Sequence, residues 1–163
     1  MGIFEYIKRR ALMRHFLMFI LLISFSFCTD ESPRSTVPFA PVRFQIDLNG
    51  LDHTLKNPSS FKIFTEQDRR SQDDRFGYSG VFIVSHPTGG VPFAFDLCCP
   101  HEKIRTIKVV PNNDGFATCL SCGSVFETFY GFGTVKEGPS SEPLQRYRVY
   151  ALPLQPEAFQ VTN

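Results

Sequence analysis

Two short stretches hold most of the soft metal-ligand chemistry in this chain. "CCPH", residues 98 to 101, sets two cysteines close to a histidine, and after seventeen further residues "CLSC" follows at 119 to 122. Thiolates bind metals strongly and a neutral imidazole is a good borderline donor. Cys99-x-His101 and Cys119-x-x-Cys122 each offer two such donors from one turn. The glycine after Cys122 permits the tight backbone that points both thiolates at one place. Two paired-ligand loops at this separation are the pattern of a four-ligand site. Cys98 has no slot in that set and is expected in the core as a small apolar residue. His53 and His86 read as surface or turn histidines, and they become substitute ligands only if the fold brings them near.

The residues alone leave three chemistries open. The site holds a metal, zinc being the common choice for three Cys and one His. Alternatively Cys98, Cys99, Cys119 and Cys122 form two disulfides, as an oxidising compartment favours. In the third case the site is empty and the surface serves a partner. No general acid–base pair, nucleophile triad or phosphate loop can be assembled elsewhere. Seventeen Lys plus Arg against sixteen Asp plus Glu leave no basic excess that would argue for nucleic acid.

These clusters need a frame, and the composition says which. The chain of 163 residues suits one domain with a real core. Eleven glycines and twelve prolines are spread along it, and no 3.6-residue periodicity persists after the first thirty residues, so short strands joined by turns are expected. "VRFQIDL", 42 to 48, alternates and ends at Asn49-Gly50, a strand and a turn. "FKIF", 61 to 64, is a second strand, and the charged "EQDRRSQDDRFGYSG", 66 to 80, reads as a solvated loop. "VFIVSH" and "VPFAFDL", 81 to 97, form a hairpin whose second strand delivers Cys98, Cys99 and His101. "FATC" at 116 to 119 leads into the second cluster, and "VFETF", "GTVKEG", "RYRVYAL" and "AFQVTN" continue as strands. Phe93, Phe95, Phe116, Phe126 and Phe129 are expected to fill the core and shield the site.

The N-terminus reads separately. Lys8, Arg9, Arg10 and Arg14 precede an apolar run from Phe16 to Phe27, which is shorter than the ~20 residues that span a bilayer. A basic segment before such a run predicts a secretory signal over residues 1–27, with Met13 an alternative start. Cys28, followed by "TDES", resembles the lipidated cysteine of a bacterial lipoprotein, although Phe27 stands where a small residue is usual. That predicts an exported envelope protein anchored to a membrane through Cys28, with residues 28–41 as a tether and the folded domain over 42–163. Without residues 1–27 the chain is slightly acidic, so its net charge does not favour anionic partners.

From Phe95 to about Val161 the chain resembles the Rieske iron–sulfur family. "CPH" stands at 99 to 101 and "CLSCGSVF" at 119 to 126. "GTVKEGP" at 133 to 139, "EPLQRYRV" at 142 to 149 and "AFQV" at 158 to 161 follow in the family's order. The resemblance implies an all-β, Rieske-like antiparallel sandwich with two metal-binding loops at one end. It implies a [2Fe–2S] cluster on Cys99, His101, Cys119 and Cys122, with Cys99 and Cys119 on one iron. Ser124 matches a hydroxyl that bonds to a bridging sulfide, and Phe126 replaces a tyrosine of the high-potential members. Cys122 stands where the family has its second histidine. Two-histidine centres lie at about −150 to +300 mV, and an added thiolate charge predicts a lower potential here. The function implied is single-electron transfer to an unnamed redox partner protein; the chain has no room for an oxygenase's catalytic domain.

Overall fold

The computed structural model describes residues 35–163. The expected signal, Cys28 and the first part of the tether lie outside the described residues. Eleven strands, with no α-helix among the described residues, make an all-β structure of two antiparallel sheets. No helix among these residues is long and apolar enough to cross a membrane.

The larger sheet is built from β1 (Val42–Asp47), β2 (Phe61–Phe64), β3 (Arg75–Phe76), β4 (Val81–Val84), β5 (Phe93–Asp96), β10 (Arg146–Ala151) and β11 (Ala158–Thr162). Its order is β2-β4-β5-β10-β11-β1-β3, and it is nearly closed on itself. The smaller sheet has the order β6-β7-β8-β9, from β6 (Val109–Pro111), β7 (Phe116–Cys119), β8 (Val125–Glu127) and β9 (Thr134–Glu137).

Side-chain alternation decides where each core sits. On β1, Val42, Phe44 and Ile46 are buried while Arg43, Gln45 and Asp47 are exposed, the period-two pattern of a strand with one wet face. These three pack with Ile83, Ala94, Tyr147, Phe159 and Val161 in a first core. β4 has no wet face: all of "VFIV" is buried. Val81 and Ile83 enter the first core, while Phe82 and Val84 enter a second with Phe95, Leu97, Val109, Ala117, Phe126 and Leu144. The smaller sheet therefore packs on the outer face of β4 and β5. Cys99 and Cys119 belong to this second core, which carries the site.

The segment read as a solvated loop, 66 to 80, holds more structure than its charge suggests. Thr65 caps a 3-10 turn at Glu66–Asp68, and Arg75–Phe76 pairs with the start of β1. Arg70 reaches back to Asp52, which is fully buried, with N···O distances of 2.8 and 2.7 Å. Lys62 Nζ lies 2.8 Å from the same carboxylate and the Asp47 N–H donates to it at 2.9 Å. Burial alone raises this carboxyl, but the hydrogen bonds from Arg70, Lys62 and the Asp47 backbone outweigh it and hold Asp52 at about 2, against an ordinary 3.8. The folded value is the lower one, so this stability is fully present above about pH 4 and is lost as pH falls toward 2. It amounts to about 2 kcal/mol. Urea unfolding at pH 6 and at pH 2 should show that difference, and Asp52→Asn should remove this part of the pH dependence. An unchanged pH dependence in the variant would refute the assignment.

Residues 36–41, part of the expected tether, lie against the domain. The Thr36 N–H donates to Glu142 Oε2 at 2.7 Å, Val37 is buried, and the Pro41 carbonyl accepts from the Gly77 N–H. The described contacts thus begin before Val42.

Candidate metal centre

The first loop leaves β5 through Asp96, a fully buried carboxylate with no salt-bridge partner among the described residues. It survives there by accepting hydrogen bonds, because an unsatisfied buried charge is very costly. The Tyr147 hydroxyl donates at 2.7 Å, and the N–H groups of Tyr78, Ser79 and Cys98 donate at 2.8, 3.2 and 2.7 Å. Burial, together with the adjacent Asp96 charge, pushes the Tyr147 phenol well up, so it stays a donor. Asp96 thereby fixes the backbone at Cys98 from two strands and a turn. A bridge between Cys98 and Lys108 closes the loop, the Cys99 N–H donates to Ile107, and the Lys103 N–H returns to the Cys99 carbonyl at 2.9 Å.

The second loop joins β7 to β8. The Cys119 N–H donates to the Ser124 carbonyl at 2.8 Å, and the Gly123 N–H to the Cys119 carbonyl at 2.9 Å. Gly123 has φ +76°, where a side chain would be strained. Ser124 is buried, and its Oγ accepts the Ser140 N–H at 3.0 Å and stands 3.2 Å from Cys122 Sγ. That hydroxyl ties the ligand loop to the chain after β9.

These two loops bring three thiols together. Cys99 and Cys119 are buried and Cys122 is half-buried, and their sulfurs all lie within 4.8 Å of one another. Cys99 and Cys122 are 3.7 Å apart, too far for the ~2.05 Å of a disulfide. All four cysteines among the described residues are free thiols. Cys98 is buried outside the triad, its Sγ 3.7 Å from the Ile104 carbonyl. His101 is exposed and outside the thiol group. His53 faces the Gly50 carbonyl and His86 packs against Phe93, so neither joins it. Phe95 and Phe126 are fully buried, while Phe93, Phe116 and Phe129 are half-buried.

The triad could bind a metal ion. Two thiolates at ~2.3 Å from one tetrahedral ion stand about 3.8 Å apart. The 3.7 Å between Cys99 and Cys122 fits that. In a two-iron cluster, ligands on opposite irons are separated by the iron–iron vector plus two outward bonds, roughly 5 Å or more. With all three sulfurs inside 4.8 Å, no pair is spread that far.

Protonation of these thiols sets the pH dependence of metal binding. Burial pushes the Cys99 thiol up to about 12 and that of Cys98 up to about 11. Burial also raises Cys122, but the Ser124 hydroxyl and N–H outweigh it and leave that thiol lowered. A cation must displace these protons to bind, so its affinity rises with pH. Replacing Ser124 by Ala removes the hydroxyl at Cys122 and orphans the Ser140 N–H. Metal affinity should fall by about 10- to 100-fold with the fold intact, measured by chelator competition. Unchanged affinity would make Ser124 a packing residue only.

Asp96, Ser140 and Tyr147 support the site without any short-range motif. The one available signal was a lone acid directly before an apolar-Cys-Cys run at a strand end. No protein-family model matches the chain, and no curated protein matches it.

Proposed function

We propose that this chain is a metal-carrying β-module in which Cys99, Cys119 and Cys122 hold one tetrahedral ion of the zinc class. The observation that carries the reading is the three-sulfur triangle, with 3.7 Å between Cys99 and Cys122. Such an ion, when bound, clamps the loops after β5 and β7 together at one end of the smaller sheet. Its role is then to stiffen that end of the module as a surface for a partner, because three thiolates leave little room for catalysis by a bound water. The sequence before the fold adds the setting: a signal over 1–27 and Cys28 support an exported, membrane-anchored envelope protein.

A [2Fe–2S] electron carrier of Rieske type is the second reading, with Cys99, His101, Cys119 and Cys122 as ligands and a redox protein as partner. The contact between the Ser124 hydroxyl and Cys122 Sγ favours it, along with the order of the two boxes and the Gly-Pro and Pro-Leu that follow. It requires Cys122 to move away from Cys99 and Cys119, and His101 to turn inward. Metal and acid-labile sulfide analysis with an optical spectrum, on the full chain purified anaerobically, separates the two. The single-ion reading expects about one zinc-class ion per chain, no sulfide and no visible band. About two irons and two sulfides, with absorption bleached by dithionite, would replace it with the second.

A further inference from the structure

The two ligand loops share one backbone plan. In the first, the Lys103 N–H bonds to the Cys99 carbonyl at 2.9 Å; in the second, the Gly123 N–H bonds to the Cys119 carbonyl at 2.9 Å. Each is a five-residue turn that opens on a buried cysteine and closes on a left-handed residue, Lys103 at φ 55° and Gly123 at φ +76°. Exposure matches at the third positions, His101 and Ser121, both exposed, and at the fourth, Glu102 and Cys122, both half-buried, while at the second Pro100 is buried and Leu120 exposed. In a reverse turn the first and fourth Cα atoms lie within about 7 Å, and the second and third form its corner. The first and fourth residues are therefore the pair that can face one ion, as Cys119 and Cys122 do. A lysine at positive φ is unusual, and such strain persists where the surroundings impose it. Here it gives the first loop the shape that glycine gives the second.

We infer that Glu102, placed in the first loop where Cys122 stands in the second, supplies the fourth metal ligand. This rests on the single-ion reading. The Glu102 carboxylate stands outside the thiol triad, and metal binding requires its side chain to turn inward. Carboxylate oxygen is an ordinary zinc donor at about 2.0–2.2 Å. His101, two residues after Cys99, sits at the corner and keeps its imidazole in solvent. The centre is then three sulfurs and one oxygen, and the oxygen is its most exchangeable ligand.

The test uses the full chain, zinc affinity by competition with a chromophoric chelator, and the absorption spectrum of the cobalt-substituted protein. Glu102→Gln should weaken zinc binding by more than about 100-fold, while His101→Gln leaves it within about twofold. Glu102→Cys guards against a variant that merely misfolds. It should retain zinc and raise the thiolate-to-cobalt absorption from the intensity of three sulfurs to that of four. If His101→Gln weakens binding and Glu102→Gln does not, the inference is overturned and the single ion stands. If neither variant weakens it, the fourth ligand comes from outside the chain and the inference is likewise overturned. Failure of the unaltered chain to hold about one equivalent of zinc or cobalt brings down the single-ion reading, and the inference with it.

Discussion

Cys119→Ser should abolish stoichiometric metal binding and lower the melting temperature by about 10 °C or more. Two effects add at this position. The triad loses one of three sulfurs, and loss of a direct ligand exceeds the 10- to 100-fold typical of a supporting residue. The side chain is also fully buried in the second core, where a serine hydroxyl without a partner costs about 1–3 kcal/mol. Cys98→Ser is the matched control, since that thiol is equally buried yet lies outside the triad. It should lose about 1–3 kcal/mol of stability and keep its metal. Metal content by elemental analysis, beside a thermal scan, reads both. Equal metal loss in the two variants would mean that the triad is not the site.

Gly138→Ala should be the most damaging small substitution near the site, although the residue is exposed. A Cβ there would stand 2.5 Å from Ser124 Cα and 2.8 Å from Ser124 N. Both are backbone atoms held by the second ligand loop, so neither can swing aside. The backbone is also left-handed, at φ +94°. Strain and overpacking together predict a loss of about 3 kcal/mol, and Ser124 should shift away from Cys122. Metal affinity should fall with stability. Gly123→Ala separates the two causes: its φ is +76° but its Cβ would meet nothing within 4 Å. It should show only the backbone penalty, about 1 kcal/mol. Equal losses in the two variants would show that crowding against Ser124 contributes nothing.

The all-β class was legible because the local signals were strong. Val42–Asp47 alternates, and "FKIF", "VFIV" and "FATC" are short apolar runs bounded by turn residues. The second core was also latent in the sequence: a run such as "VFIV" has no polar face, which implies a layer on each side. β3 was hidden because two residues make no period, and it exists only through its pairing with Val42 and Arg43. Arg70 read as a solvated charge because its partner Asp52 lies eighteen residues earlier, brought close by the 3-10 turn and by β2. The Thr36–Glu142 contact spans 106 residues and leaves no local trace.

For the site, residue types were more informative than roles. Cys99, Cys119 and Cys122 stood out by spacing, and the structure brings their sulfurs together. His101 stood out equally, yet it sits at the corner of a turn that faces solvent. The supporting Asp96 and Ser140 act through hydrogen bonds to residues seventeen, eighteen and sixteen positions away, beyond any motif.

The most direct measurement is X-ray absorption at the metal edge of the loaded full chain. A single ion on the triad predicts about three sulfurs at about 2.3 Å, one oxygen or nitrogen near 2.0–2.2 Å, and no metal–metal scattering. A short metal–metal vector with bridging sulfide, or fewer than three sulfurs around the ion, would contradict it.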